Sequence, residues 1–562
     1  MIGDQNVAAA GPAVASSGVQ RLLPVLVAAA LVVPSIVWVS LDRSIWPWDP
    51  AWYAEVSVDL WATLRNHPSA WPDAMTHAFG LKPPAVAWLG QFFVPLGAIV
   101  GQDAVALLLS LVACQAASLA LVYTALRGLA GGAAALVSAL VVAGSPLFVS
   151  MSHEYFAEPI QTVAVAWLLL ILARAAERRP ALTIAQLPGV LALAMLAKLS
   201  SPAYVAAPAV GAVLLVLLHR ARRPQQRPPW QDAAVVSSSI VSILLVVAAL
   251  SWYRINLDGA IQHARNASAD TGLYGVDRSF LHQFPDWLER LRDTMFLPHV
   301  WLILGVLTVA SLALAVLRGR RAMLRDARVV TVVACVVSVI VVLVALASQP
   351  NQEVRYLLPL LPLVAAPLAL ALCAARSRVI LAAALGVLTI EYAGATLQSF
   401  GYARQPSLVS YRIASPARDT RFADALNGLI SRTCTEGTAA KINVVGGEYP
   451  WLNANTLEML AFARYAESDR RCYYTSLGYA ESDAEVAWKR VQDLRPPFYI
   501  SVDYGNRRNP LPEKQAAAVA RADAFNRVNV AIFKRITRSA DFEPVPGSRR
   551  TGLVVFRAVD GS

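Results

Sequence analysis

Lysine is nearly missing from the first 400 residues. Of the six lysines in the chain, only Lys82 and Lys198 fall there. Charge of either sign is scarce: Asp, Glu, Lys and Arg make up 15% of 562 residues, against 56% hydrophobic types. That balance excludes an ordinary soluble protein of this length. The zinc patterns CxxC and HExxH are absent, and cysteine is limited to five. Cys114, Cys335 and Cys373 lie in apolar runs, where they read as small buried residues. Cys434 and Cys472 lie in the polar C-terminal part, and could pair as a disulfide if that part is extracytoplasmic.

What is present is a series of long apolar runs. Residues 22–40 are apolar throughout, and no small-residue cleavage site follows. They read as a first transmembrane helix rather than a removed signal peptide. Further spans are expected near 103–124, 130–149, 159–175, 181–197, 201–218, 233–251, 298–317, 328–348, 356–374 and 379–397. The net charge of +12 is concentrated in short basic runs, 177–179, 219–227, 318–328 and 375–378. These fall on alternate connections, which marks them as cytoplasmic and accounts for the charge without nucleic acid. The connections 41–102, 150–158, 252–297 and 349–355, and all that follows about 398, are then outside. The apolar segment 83–101 is nearly long enough to span. Counting it would reverse every later basic run, so it reads as interfacial or re-entrant.

The expected fold is a polytopic α-helical membrane protein of about 11 transmembrane helices, residues 1–397, followed by a soluble extracytoplasmic α/β domain, 398–562. In that domain "KINVVGG", "FYISVDY" and "TGLVVFRAV" read as strands. "NTLEMLAFARYA", "DAEVAWKRVQDL" and "EKQAAAVARADAFNRV" read as helices. The glycine turn in "VVGGEYP" lacks the spacing of a dinucleotide fingerprint.

Directly after the first span comes "WPWDPAWYAE", with Asp49 and Glu55 among Trp46, Trp48, Trp52 and Tyr53. Such acids are either solvated members of an aromatic interfacial belt or hydroxyl acceptors beside aromatic faces, as sugar binding requires. The outer side also carries Lys82, His153, Glu154, Glu158, Lys198, Arg355 and Tyr356. Glu158, with Pro159 after it, has the look of an acid at a helix N-terminus. The two lysines fit either an arginine-favouring composition or an anionic group met at the outer headgroup level, since lysine binds phosphate as a point charge.

The order of these pieces resembles the GT-C membrane glycosyltransferases, in particular the branch of lipid A aminoarabinose transferases and protein O-mannosyltransferases. The resemblance rests on "DPAWYAE" after the first span, "LKPPAVAWLG" with Lys82, and an acid after the third span at Glu158, with Glu154 as alternative. It continues with Lys198 in "LAKLSSP" and the run "RYLLPLLP" from Arg355. It implies transfer of a sugar from a polyprenyl-phosphate donor to a glycan, lipid or protein acceptor, in a bacterial inner membrane and on its outer face. Lys82, Lys198 and Arg355 would stabilise the leaving phosphate, with Tyr356 beside them. Asp49 would act as general base or orienter. Glu158 would share that role, hold the sugar, or bind a divalent cation with His153. Trp48, Trp52, Tyr53 and Glu55 would line the substrate. The cofactor is otherwise open. The loop 252–297 is a candidate lid. The rival readings are a lipid-linked sugar transporter or flippase, for which only Glu391 offers an intramembrane charge, and a non-catalytic glycolipid receptor.

Overall fold

The computed structural model of the chain describes residues 18–176, 180–220, 232–268, 279–318, 326–402, 413–418, 420–435, 441–465, 471–477, 481, 483–504, 516–546 and 552–559. The basic run 177–179, residues 319–325 of the run 318–328, most of 219–227, and residues 269–278 of the candidate lid lie outside them.

Among the described residues, ten helices are long and apolar enough to cross a membrane, from Gln20–Leu41 to Arg378–Ser399. They correspond to ten of the eleven expected spans. The exception is 130–149. It is split into a helix Gly132–Ala143 and a short turn of helix Pro146–Ser150. Twelve residues rise only about 18 Å, short of a hydrocarbon core about 30 Å thick, so this crossing takes both pieces: without it Asp49 and Glu158, which Arg355 bridges, would lie on opposite faces. The break lies at Gly144–Ser145: Ser145 caps the second piece by accepting from the Phe148 amide, and Pro146 opens it. A side chain at Gly144 would come within 2.9 Å of the Leu140 carbonyl oxygen. The segment 83–101 is likewise two short helices, Ala85–Gly90 and Val94–Val100, neither of span length.

The expected loop 252–297 is mostly helix. The helix Ala233–Ser268 runs for 36 residues, about 54 Å, so its second half passes beyond the apolar layer. That half braces the turn that leads to Lys82. Trp252 Nε1 donates to the Ala78 carbonyl (3.0 Å), and Asn256 Nδ2 to the Thr76 carbonyl (2.7 Å). A Cβ on Gly259 would sit 2.7 Å from the Gly80 oxygen, so glycine permits this approach. A second helix, Phe280–Met295, follows within the same connection.

The C-terminal part forms a five-stranded sheet from β1 (Ile442–Gly446), β2 (Tyr473–Ser476), β3 (Phe498–Val502), β4 (Phe542–Pro544) and β5 (Leu553–Ala558), in the order β2-β1-β3-β5-β4. β1 is parallel to β2 and β3, with Val444 beside Tyr499, and β5 is antiparallel to β3, with Val555 beside Ile500. Every residue of β3 is buried, as a strand covered on both faces must be. The three expected strands and three expected helices are present; β2 and β4 are additional. Cys434 and Cys472 form a disulfide. The helix Ala454–Tyr465 packs along the helix Trp48–Asn66, so this sheet domain rests on the segment that bears Asp49.

Candidate functional site

The helix Trp48–Asn66 starts with Asp49 in its first turn, where the macrodipole favours an acid. At about 100° per residue, Asp49, Trp52 and Tyr53 share one face. Phe79 packs edge-on against both rings, with centroids 5.4 and 5.3 Å away. Phe79 and Gly80 both have positive φ, 63° and 64°, which turns the chain back towards Asp49. Pro83 and Pro84 follow before the helix Ala85–Gly90, and buried Lys82 points at the acid: Nζ donates to Asp49 Oδ1 over 2.7 Å. The ammonium also lies 4.8 Å from the Trp52 ring and 5.2 Å from that of Tyr53.

Three further elements complete a chain of charges. Glu158 opens the span Glu158–Ala175 and is buried. Lys198 follows directly on the span Pro180–Ala197, and its Nζ donates to Glu158 Oε1. Arg355 lies in the 3-10 turn Val354–Leu360. Its guanidinium bridges the two acids, with Nη2 3.6 Å from Asp49 Oδ2 and Nε 3.3 Å from Glu158 Oε1. The order is Lys82, Asp49, Arg355, Glu158, Lys198, so three cations flank two carboxylates and one positive charge is left over. Aromatic faces back the cations: Phe156 lies 4.0 Å from the Arg355 guanidinium, and the Tyr356 ring 3.8 Å from Lys198 Nζ. Tyr356 is fixed at both ends, its carbonyl accepting from Tyr204 and its hydroxyl from Asn351 (2.7 and 3.1 Å).

Burial alone would raise the Asp49 pKa, but Lys82 and Arg355 outweigh it and hold the carboxyl at about 2. Asp49 is therefore ionised at any physiological pH, and its side chain keeps 36% of its surface exposed. Burial pulls the Lys82 and Lys198 ammoniums below their usual range, against the pull of Asp49 and Glu158. Glu154 is exposed to one side of this chain.

The structure thus brings together Asp49, Lys82, Glu158, Lys198, Arg355, Tyr356, Trp52 and Tyr53. It does not bring Glu55, Trp48 or His153. Glu55 lies six residues from Asp49, about 240° around the helix, and meets the field of Glu458 and Asp59 instead. Trp48 turns to the sheet domain and donates to Glu448 (2.9 Å). His153 stacks on Trp38 with centroids 3.6 Å apart, while Glu158 is engaged by two cations. Among the described residues, no group of three or more His, Cys, Asp and Glu could hold a metal ion, so the pairing of His153 with Glu158 around a divalent cation is not borne by the geometry. Sequence reasoning missed Phe156, Asn351 and Tyr204. Phe156 carried a signal, standing in the "SHEYFAEPI" connection between the two candidate acids; the others carried none.

Residues 81–252 match the family model described as dolichyl-phosphate-mannose-protein mannosyltransferase, a stretch that holds Lys82, Glu158 and Lys198. No curated protein sequence matches the chain. Among solved structures, ArnT from Cupriavidus metallidurans bound to undecaprenyl phosphate is 13% identical, with TM-score 0.54 over 97% of this chain and 99% of that one. The same protein in the apo state gives 14% identity and TM-score 0.50, over 96% and 98%. Arabinofuranosyltransferase AftD from Mycobacteria gives 14% identity and TM-score 0.51, over 96% of this chain and 40% of that one. At these identities the likeness speaks to architecture: the chain has the fold of the GT-C membrane glycosyltransferases.

Proposed function

We propose that this chain, a multi-pass membrane transferase of the GT-C fold, moves a sugar from a polyprenyl-phosphate carrier to a nucleophile on a glycan, lipid or protein acceptor at the extracytoplasmic face of a bacterial inner membrane. The observation that carries this reading is the five-member chain of charges. Its surplus positive charge, spread over Lys82, Arg355 and Lys198 against aromatic faces, suits a single anionic phosphate at the edge of the apolar layer. The undecaprenyl phosphate bound by ArnT supports the same class of donor.

In the reaction the bond between the anomeric carbon and the phosphate oxygen breaks, and a bond from that carbon to the acceptor oxygen forms. Negative charge grows on the departing phosphate, where the three cations stabilise it. The acceptor's proton goes to Asp49. With its pKa held at about 2, Asp49 is a weak base while paired with Lys82 and Arg355. Phosphate binding engages those cations and raises the basicity of the acid beside them, so donor binding and base activation are linked. Glu158 keeps Lys198 and Arg355 in place. The intramembrane charge that favoured transport has a structural use: Glu391 accepts from the Leu297 amide over 2.9 Å, at the start of the helix Pro298–Leu317.

The disulfide supports placing the sheet domain in an oxidising compartment, in agreement with the alternation of basic runs. The test of the function is turnover by the purified full-length protein in detergent, supplied with polyprenyl-phosphate sugars and with a bacterial envelope extract as acceptor. Release of polyprenyl phosphate that depends on Asp49 supports the reading. Movement of intact donor across a vesicle bilayer, with no release, replaces it by transport.

A further inference from the structure

The turn that presents Asp49 is held mainly by the sheet domain. Trp48, immediately before Asp49, has φ +25°, a value that side-chain-bearing L residues rarely adopt. Such a conformation persists only where its surroundings over-determine it. No side chain caps the helix that begins here. Three hydrogen bonds arrive instead from the far end of the sequence. Thr456 Oγ1 donates to the Trp46 carbonyl (2.7 Å), Asn455 Nδ2 to the Trp48 carbonyl (3.2 Å), and Trp48 Nε1 donates to Glu448 Oε2 (2.9 Å).

We infer that Glu448 is a positioning residue for the transfer reaction: by accepting from Trp48 it locks the turn that aims Asp49 at Lys82 and Arg355. Glu448 is suited to this. It lies just past β1 and is 5% exposed. Its amide donates to Asn526 Oδ1 (2.8 Å), and Asn526 Nδ2 donates back to its carbonyl (3.2 Å). A Cβ on Gly446, two residues earlier, would lie 1.9 Å from the Tyr499 hydroxyl, so glycine is what lets that ring pack against the strand end. Burial raises the Glu448 carboxyl to about 7, and its partner is an uncharged indole. The bond thus asks for an acceptor oxygen and not for a charge. On the other side Trp46 is pinned by stacking on Tyr155, with centroids 5.5 Å apart. The sheet domain is therefore part of the catalytic framework, and the inference rests on the role given to Asp49 above.

The experiment compares Glu448→Ala, Glu448→Gln and Asn455→Ala in the full-length protein. Glu448→Ala is expected to lower kcat roughly 10–100-fold, as a misplacement of about 1 Å does, with donor KM within about threefold of the wild type. Glu448→Gln keeps the acceptor oxygen and restores most of kcat, and Asn455→Ala falls between. Hydrogen exchange gives a readout independent of turnover: amides of 46–52 exchange faster in Glu448→Ala, while those of the span Asp103–Ala130 do not change. Unchanged exchange in 46–52, or a Glu448→Gln protein as slow as Glu448→Ala, overturns the inference. A wild type without turnover whose 46–52 segment still loosens in Glu448→Ala sinks the transferase reading and leaves the clamp standing.

Discussion

Asp49 sits between two cations that the proposed reaction also uses on the phosphate, and this gives its removal a distinctive signature. In Asp49→Asn the base is lost, so kcat should fall by about 10²–10⁴-fold. Lys82 and Arg355 are also released from a carboxylate, so donor binding should tighten. A belt residue would change neither, and single-turnover rates beside donor titrations distinguish the two. Lys82→Ala should weaken donor binding by about 2–5 kcal/mol, as loss of a buried charge partner does. Lys82→Arg recovers part of it, because a planar guanidinium does not fit the space of an ammonium beside Trp52 and Tyr53. Glu158→Gln leaves Lys198 and Arg355 without their shared acid, and a cost of about 3–5 kcal/mol is expected, read as lost turnover and a lower Tm. Glu154→Gln, on an exposed side chain, should stay within a few-fold of the wild type; equal losses in the two would remove the distinction between them. Most of the site was legible because rare residues carry information in a chain like this: two lysines in 400 residues are hard to place by accident. Glu55 misled because proximity in sequence is not proximity on a helix, and six residues turn the side chain away from Asp49.

The helix Trp48–Asn66 works on two faces, and the second face predicts a pH dependence. Opposite the site, Glu55 and Asp59 meet Glu458 of the helix Ala454–Tyr465 and Arg471, with Arg471 Nη2 3.1 Å from Asp59. Burial, then Glu458 and Asp59, raise the Glu55 carboxyl well above its usual range. Burial likewise raises Glu458, to about 8, with a further push from Asp59. An acid with a raised native pKa binds more protons folded than unfolded, so the stability of this contact falls as pH rises from the ordinary carboxylate range towards 8. Glu458→Gln removes Glu458's own share of that loss and its push on Glu55, while burial and Asp59 still raise Glu55. It should flatten the Tm–pH profile between pH 5.5 and 8 and raise Tm at pH 8 by roughly 2–4 °C, the effect of about 1 kcal/mol; coincident profiles for the two proteins would exclude the contact as a stability determinant. Long apolar elements were legible because a hydrocarbon layer demands unbroken runs. The break at Gly144–Ser145 did carry a signal, the run Gly144-Ser145-Pro146, which hydropathy averaged over the length of a span passes over. The extension of Ala233–Ser268 was not legible, because its partners Ala78, Thr76 and Gly80 lie some 180 residues away in sequence. β2 and β4 are only four and three residues long, too short to announce themselves without the neighbours that pair with them.

On the scale of the whole molecule, two independent features argue for one orientation. The basic runs fall on alternate connections, which fixes the sidedness of every span relative to the others. The Cys434–Cys472 disulfide belongs in an oxidising compartment. Both support the proposed placement of the sheet domain outside, and the hydrogen bonds from Trp48 to Glu448 and from Asn455 and Thr456 to the turn put Asp49 on the same side as that domain. A donor made in the cytoplasm would have to reach that face before use, so the orientation constrains the reaction as much as the site does. Single cysteines introduced for Ser431, His282 and Gln225 test it in intact cells with a membrane-impermeant maleimide. Ser431→Cys and His282→Cys, at exposed positions on helices Arg421–Thr433 and Phe280–Met295, should label without permeabilisation. Gln225→Cys, in the basic run 219–227, should label only after it. Labelling of Gln225→Cys in intact cells would invert the molecule and put Asp49 and its three cations on the cytoplasmic side. A nucleotide-activated sugar would then be the donor to test in place of a polyprenyl-phosphate sugar, and the disulfide would have to be found reduced.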